Sequence, residues 1–205
     1  MTLNQSGSGK NISVLGASLI SCSFLFFSFI EYRPNRVLSG INIKAQDLFG
    51  KNFYWMLLCS ILLLVLIIIN HKKYRLFIGF TLISLMGLVL YLLGIISNQE
   101  YFQQIPNSRI SLGLGFWSIF LGIHMVMSGC CKGEQKDTIY KRLFYIITFL
   151  LILAFLLSGH LNDLSLMKEF LNRKTSFFQQ INRHFLLSSL SVIFGLFIGI
   201  PLGIL

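Results

Sequence analysis

Few side chains in this sequence could do chemistry. His124 stands inside an apolar stretch, and Cys130 and Cys131 form an adjacent pair just beyond it, beside basic residues. The other two cysteines, Cys22 and Cys59, each lie within an apolar run. An ionisable residue inside a membrane span is a functional candidate by default, so an intramembrane enzyme built on His124 or on the Cys130 and Cys131 thiols is one reading. The spacing argues against it. There is no C-x-x-C, no H-E-x-x-H, no G-x-S-x-G and no P-loop lysine motif, and no histidine or acid lies at metal-ligand spacing from the thiols. Intramembrane carboxylates, which proton- or ion-coupled carriers usually need, are absent from the apolar runs. The sequence therefore reads as having no catalytic, cofactor-binding or metal site and no cofactor. The cysteines read as free thiols, and His124 as a packed or interfacial residue.

The elements around these residues are apolar and helical. Of 205 residues, 55% are hydrophobic and only 12% charged, against roughly 25% charged in soluble domains. The pattern predicts an all-α, polytopic integral membrane protein with about six transmembrane helices and a short amphipathic surface helix. The spans are expected over residues 11–30, 53–69, 76–96, 112–127, 143–158 and 185–205, each near the length that crosses a bilayer. Leu19-Ile20-Ser21-Cys22 resembles a lipoprotein cleavage box, but the apolar run continues beyond Cys22 to Ile30, which favours a helix. Phe53, Tyr54 and Trp55 suit a membrane interface. Small residues recur at helical spacing as Gly79, Gly87 and Gly94, as Gly113, Gly115 and Gly122, and as Ser191, Gly195, Gly199 and Gly203. Such stripes let helices approach closely in lipid. The last of them also supports an alternative function, a stand-alone membrane regulator or assembly protein that forms a homodimer through it.

Pro106-Asn107 marks a turn. From Asp163, the apolar Leu164, Met167, Phe170 and Leu171 face away from Lys168, Glu169, Asn172 and Arg173, as in a helix lying on a membrane surface. Thr175-Ser176 then opens a further helix through Phe177, Phe178 and Ile181 into the last span.

The net charge is +10, yet the basic residues form short caps between apolar runs, and anionic headgroups are their sufficient partner. No nucleic-acid site is indicated. Segments 71–75 and 129–142 hold seven Lys/Arg in about 20 residues, whereas 31–52, 97–111 and 159–184 hold nine in about 60. The denser set is expected in the cytoplasm, which places the N-terminus inside and the other three connections outside.

Four stretches carry a family resemblance: residues 32–40 (YRPNRVLSG), 111–117 (SLGLGFW), 158–170 (SGHLNDLSLMKEF) and 199–203 (GIPLG). Together they resemble the N-terminal half of osmoprotectant (glycine betaine/choline-type) ABC-importer permeases of the YehY-like branch. The third stretch is the most specific; the fourth is shared by many ABC permeases. The resemblance implies an extra block of five transmembrane helices over 1–158, an external amphipathic connection over 159–184, and the first helix of the permease core over 185–205. It further implies the bacterial cytoplasmic (inner) membrane, a separate ABC ATPase subunit and a periplasmic substrate-binding protein as partners. Family members continue through further core helices and an ATPase-docking loop. The chain is therefore expected to be a truncated piece that does not transport alone.

Overall fold

The structure, a computed structural model, describes residues 3–35, 38–70, 72–99, 102, 108–131 and 135–204, with the side chains of 3–7 and 135–137 outside the description. The order is α1 (Leu3–Phe26), β1 (Ser28–Arg33), β2 (Ile41–Lys44), α2 (Ala45–Phe49), α3 (Lys51–Asn70), α4 (Arg75–Ser97), β3 (Arg109–Leu112), α5 (Leu114–Cys130), α6 (Gln135–Leu157) and α7 (Ser165–Ile204). Among the described residues, five helices are long and apolar enough to cross a membrane, within α1, α3, α4, α6 and α7. The remaining expected span is α5, an apolar helix of 17 residues, which rises about 26 Å against a hydrocarbon core of about 30 Å.

Residues 1–165 form one compact unit and 166–205 a second. In the first, α1 packs most extensively on α5 and next on α3, while α4 touches α3, α5 and α6. Ile20, Met56, Leu63, Leu82 and Ile119 are among its fully buried side chains. Leu58, Ile61, Leu62, Ile68 and Ile69 on α3 are exposed. An apolar outer face is what lipid demands, since burial there brings no release of water and packing decides which side meets protein.

The α1–α5 seam is made by small residues. A Cβ added at Gly16 would stand 2.8 Å from the Gly122 carbonyl oxygen and 2.9 Å from the Val126 nitrogen, and one at Gly122 would stand 2.7 Å from Ile20 Cγ1. The two backbones touch there only because both residues are glycine. Ser13 fills the next turn, donating its hydroxyl to the Val126 carbonyl at 3.1 Å or to its own helix at the Gly9 carbonyl at 3.2 Å.

Two expectations change. The first apolar run does not stay helical to Ile30: α1 ends at Phe26 and Ser28–Arg33 is a strand. That strand is the centre of an antiparallel sheet ordered β2-β1-β3, with Glu31 opposite Asn42 on one side and Ser111 on the other. Phe29 and Ile30 are buried in it, so the run remains apolar for packing reasons while its backbone pairs across the sheet. The amphipathic segment after Asp163 is likewise no separate helix. It forms the first turns of α7, which runs unbroken from Ser165 through Thr175-Ser176 to Ile204, with Arg173 and Glu169 paired at 2.8 Å one turn apart. The Pro106-Asn107 turn and Arg36-Val37 of the first motif lie outside the described residues.

Candidate functional site

Three of the four resemblance-bearing stretches meet at one end of the first unit. Tyr32, in the first, sits opposite Ile110 and packs its ring edge-on against Phe102, 5.3 Å between centroids. The second stretch supplies the end of β3 and the start of α5. Gly113 donates its N–H to the Phe29 carbonyl at 2.8 Å, and a Cβ there would collide with the Ser28 carbonyl. Ser111 in turn reaches the Ser165 hydroxyl at 3.4 Å, which ties β3 to the third stretch.

That third stretch is a built turn. Gly159 takes φ +77°, a left-handed conformation that costs other L-residues energy. Its carbonyl accepts the Asn162 N–H at 3.1 Å, and the Leu161 carbonyl accepts the Leu164 N–H at 3.1 Å. Leu161 and Leu164 point inward and are buried. His160 lies over the C-terminal part of α4. Its ring stacks on Tyr91 at 5.4 Å between centroids, nearly parallel, and its Nε2 pairs with the Tyr91 carbonyl at 2.9 Å. Gly94 gives the imidazole its room, since a Cβ there would overlap the ring. On the central strand of the sheet, Glu31 holds Arg33 through Nη2 at 2.8 Å and Nε at 3.0 Å. Gly40 leaves the space that the Glu31 side chain occupies.

This arrangement holds connections together; its polar groups are spent on one another and on backbone. The residues first considered for chemistry lie elsewhere and apart. His124 is half-buried between aromatic rings, 4.5 Å from Phe120 and 5.3 Å from Tyr145. Cys130 is buried with its sulfur 3.5 Å from the Ser13 hydroxyl, and Cys131 is buried beside it, while Cys22 and Cys59 are exposed along their helices. Among the described residues no group of three His, Cys, Asp or Glu stands close enough to hold a metal.

The glycines divide. Gly113, Gly115 and Gly122 line packed contacts with β1 and α1, Gly94 accommodates His160, and Gly79 and Gly87 sit at looser contacts with α5 and α6 side chains. Gly195, Gly199 and Gly203 have nothing within 4 Å. Sequence spacing missed the α1 half of the main seam, Gly9, Ser13 and Gly16. The signal was present, as small residues three and four apart, but Gly9 lies before the expected start of the first span at residue 11. It also missed His160, whose role depends on Tyr91, 69 positions earlier.

Residues 10–167 match the family model described as ABC transporter permease YehY, N-terminal domain. Searches of curated proteins and of solved structures gave no match. Permeases of this type are transport components rather than enzymes, and as a class they work with ATPase and substrate-binding partners. The match spans more than half of the chain and contains the whole sheet and the turn that His160 anchors, so the chain belongs to the family of the ABC transporter permease YehY N-terminal domain.

Proposed function

We propose that the chain serves as the membrane component of an osmoprotectant importer that takes up glycine betaine or a related quaternary ammonium compound. In this reading residues 1–158 are the family's additional helix block, 159–184 an external connection, and 185–205 the first helix of the transport core. A separate ATPase drives alternating access, and a periplasmic binding protein delivers substrate. The protein resides in the bacterial inner membrane with its N-terminus in the cytoplasm, so that the sheet and the 158–165 turn face outward.

The observation that supports this most is the meeting of the 32–40, 111–117 and 158–165 stretches at one end of the bundle. Three connections far apart in sequence make a single ordered face there. A permease needs such a face on the side from which substrate arrives, whereas a lipid-embedded anchor needs none. The basic caps at the other end agree with a cytoplasmic location.

The test is uptake of labelled glycine betaine and choline by the native host at high osmolarity, with the gene deleted and then restored. The expected result is loss of uptake on deletion and recovery on restoration. Uptake of both compounds that is unchanged in the deletion strain, with its other importers also removed, would refute the assignment.

A further inference from the structure

The α4–α6 contact stands off from the approach that its residues permit. A Cβ added at Gly79 on α4 would lie 3.9 Å from Phe144 Cδ2 of α6, and one at Gly87 would lie 3.7 Å from Leu151 Cδ1. Across the α1–α5 seam the nearest atoms to such a Cβ stand at 2.8 Å for Gly16 and 2.7 Å for Gly122. Two glycines thus look toward α6 without the close approach that small residues allow in lipid. The gap widens into a groove of about 290 Å³, walled by Leu76, Phe80 and Ile83 of α4 and by Leu143, Phe144 and Ile147 of α6. Thr148 stands on the same stripe of α6, four residues after Phe144 and three before Leu151, where helical neighbours fall. It is buried, and its hydroxyl has no hydrogen-bond partner among the described residues. Such a group costs free energy until it is bonded. Of the long spans in the first unit, α6 is also the least buried, so little packing fixes its position.

We propose that α6 is a two-position helix and that the groove marks its open position. In the closed position the half of α6 before Thr148 swings onto α4 about the Leu151–Gly87 contact. Phe144 seats on Gly79, the groove walls meet, and the Thr148 hydroxyl donates to an α4 carbonyl between Gly79 and Gly87. A helical carbonyl keeps a second lone pair for such a bond after accepting from its own helix. The movement is about 1 Å at Gly79, the difference between 3.9 Å there and 2.8 Å at Gly16, and larger toward Leu76 and Leu143. Small hinge and shear steps of packed helices are of this kind. Two features select closure over a fixed guest in the groove. A hydrocarbon chain lying there leaves the Thr148 hydroxyl unbonded, and it has no need of glycine at both 79 and 87.

The test is disulfide trapping in the full 205-residue chain in lipid nanodiscs. Leu76→Cys and Leu143→Cys are placed together on opposite walls, with Cys22→Ser and Cys59→Ser removing the exposed native thiols. A disulfide needs its two Cβ atoms about 3.8 Å apart, so oxidation by copper phenanthroline captures the closed position. It is read as loss of two maleimide additions by mass spectrometry. The pair should form the bond. Adding Gly79→Leu, which props the walls apart, should slow it at least tenfold. Adding Thr148→Val should slow it about threefold, the factor of one average interhelical hydrogen bond in a membrane. Gly195→Leu, at a position with nothing within 4 Å, should leave the rate unchanged. No disulfide, or a rate indifferent to Gly79→Leu, would overturn the second position. A rate indifferent to Thr148→Val would equally overturn it, because the hydroxyl would then have no part in closure. Should Gly79→Leu lose its helical circular dichroism, Thr148→Val and Gly195→Leu decide the matter between them.

Discussion

Gly16 is one of the points where the backbones of α1 and α5 come close, and it allows a quantitative test of what holds the bundle together. In Gly16→Ala the new methyl would stand 2.8 Å from the Gly122 oxygen, 2.8 Å from Met125 Cβ and 2.9 Å from the Val126 nitrogen. Carbon contacts are comfortable at about 3.5–4.0 Å, and none of these three atoms can swing aside as a side-chain tip could. The helices must part, at an overpacking cost of about 1–3 kcal/mol. Parting also lengthens the Ser13-to-Val126 hydrogen bond, now 3.1 Å. Against this, alanine is the better helix former by up to about 1 kcal/mol. Gly195→Ala carries the same propensity gain but no contact, because nothing lies within 4 Å of Gly195. The difference between the two variants therefore isolates the seam. With about 2–4 °C per kcal/mol for a chain of this size, the overpacking cost of about 1–3 kcal/mol means Gly16→Ala should melt about 2–12 °C below Gly195→Ala. The assay is thermal unfolding in detergent followed by tryptophan fluorescence, with Trp55 and Trp117 as reporters. If the two variants melt within a degree of each other, the α1–α5 contact is not the packing centre described.

Other outcomes follow from single contacts. His160→Ala removes the Tyr91 carbonyl bond and the stacked ring; limited proteolysis should cut within 158–165 at least severalfold faster, with helical content unchanged. Gly159→Ala, at φ +77°, should cost about 1 kcal/mol, read as a melting shift of a few degrees. Thr148 buries its hydroxyl with no partner among the described residues, so Thr148→Val should leave stability equal or higher, since an unsatisfied buried hydroxyl costs about 1–3 kcal/mol; clear destabilisation would show that the hydroxyl is bonded after all. Maleimide in detergent should modify Cys22 and Cys59 in the folded protein and reach Cys130 and Cys131 only after denaturation, given their exposed and buried positions.

The helices were legible where apolar length alone decides. The expected spans 53–69 and 76–96 fall within α3 (Lys51–Asn70) and α4 (Arg75–Ser97), because polar or basic caps end both runs. Length says nothing about backbone type within an apolar run, and that is why Ser28–Arg33 was read as helix and loop. Its partners, Ile41–Lys44 and Arg109–Leu112, are short, and the second pairs with it across nearly eighty residues, as Arg33 with Arg109. At the other end of the chain, Thr175-Ser176 looks like a helix start because hydroxyl side chains cap well, but a cap signal carries weight only where the preceding backbone leaves the helix. In α7 it does not. The candidate site was half visible. The three stretches stood out as sequence, and their meeting at one end required the sheet that no periodicity reveals.

The sheet and the α1–α5 seam have a consequence for biogenesis. Gly16 and Gly122 are separated by about a hundred residues, so at about 5–20 residues per second of synthesis α1 waits on the order of 5–20 s for its partner. During that interval β1 has only β2 to pair with, and Ser13 has no Val126 carbonyl to reach. The early product is thus a membrane hairpin, α3 with α4, beside a first helix whose glycine-lined face is bare. An insertase or a lipid-facing chaperone that shelters that face would act on nascent chains shorter than about 130 residues and be dismissed once α5, which ends at Cys130, packs on α1. The order of emergence from the ribosome, rather than the hydrophobicity of any one span, then decides when this bundle is safe from misassembly.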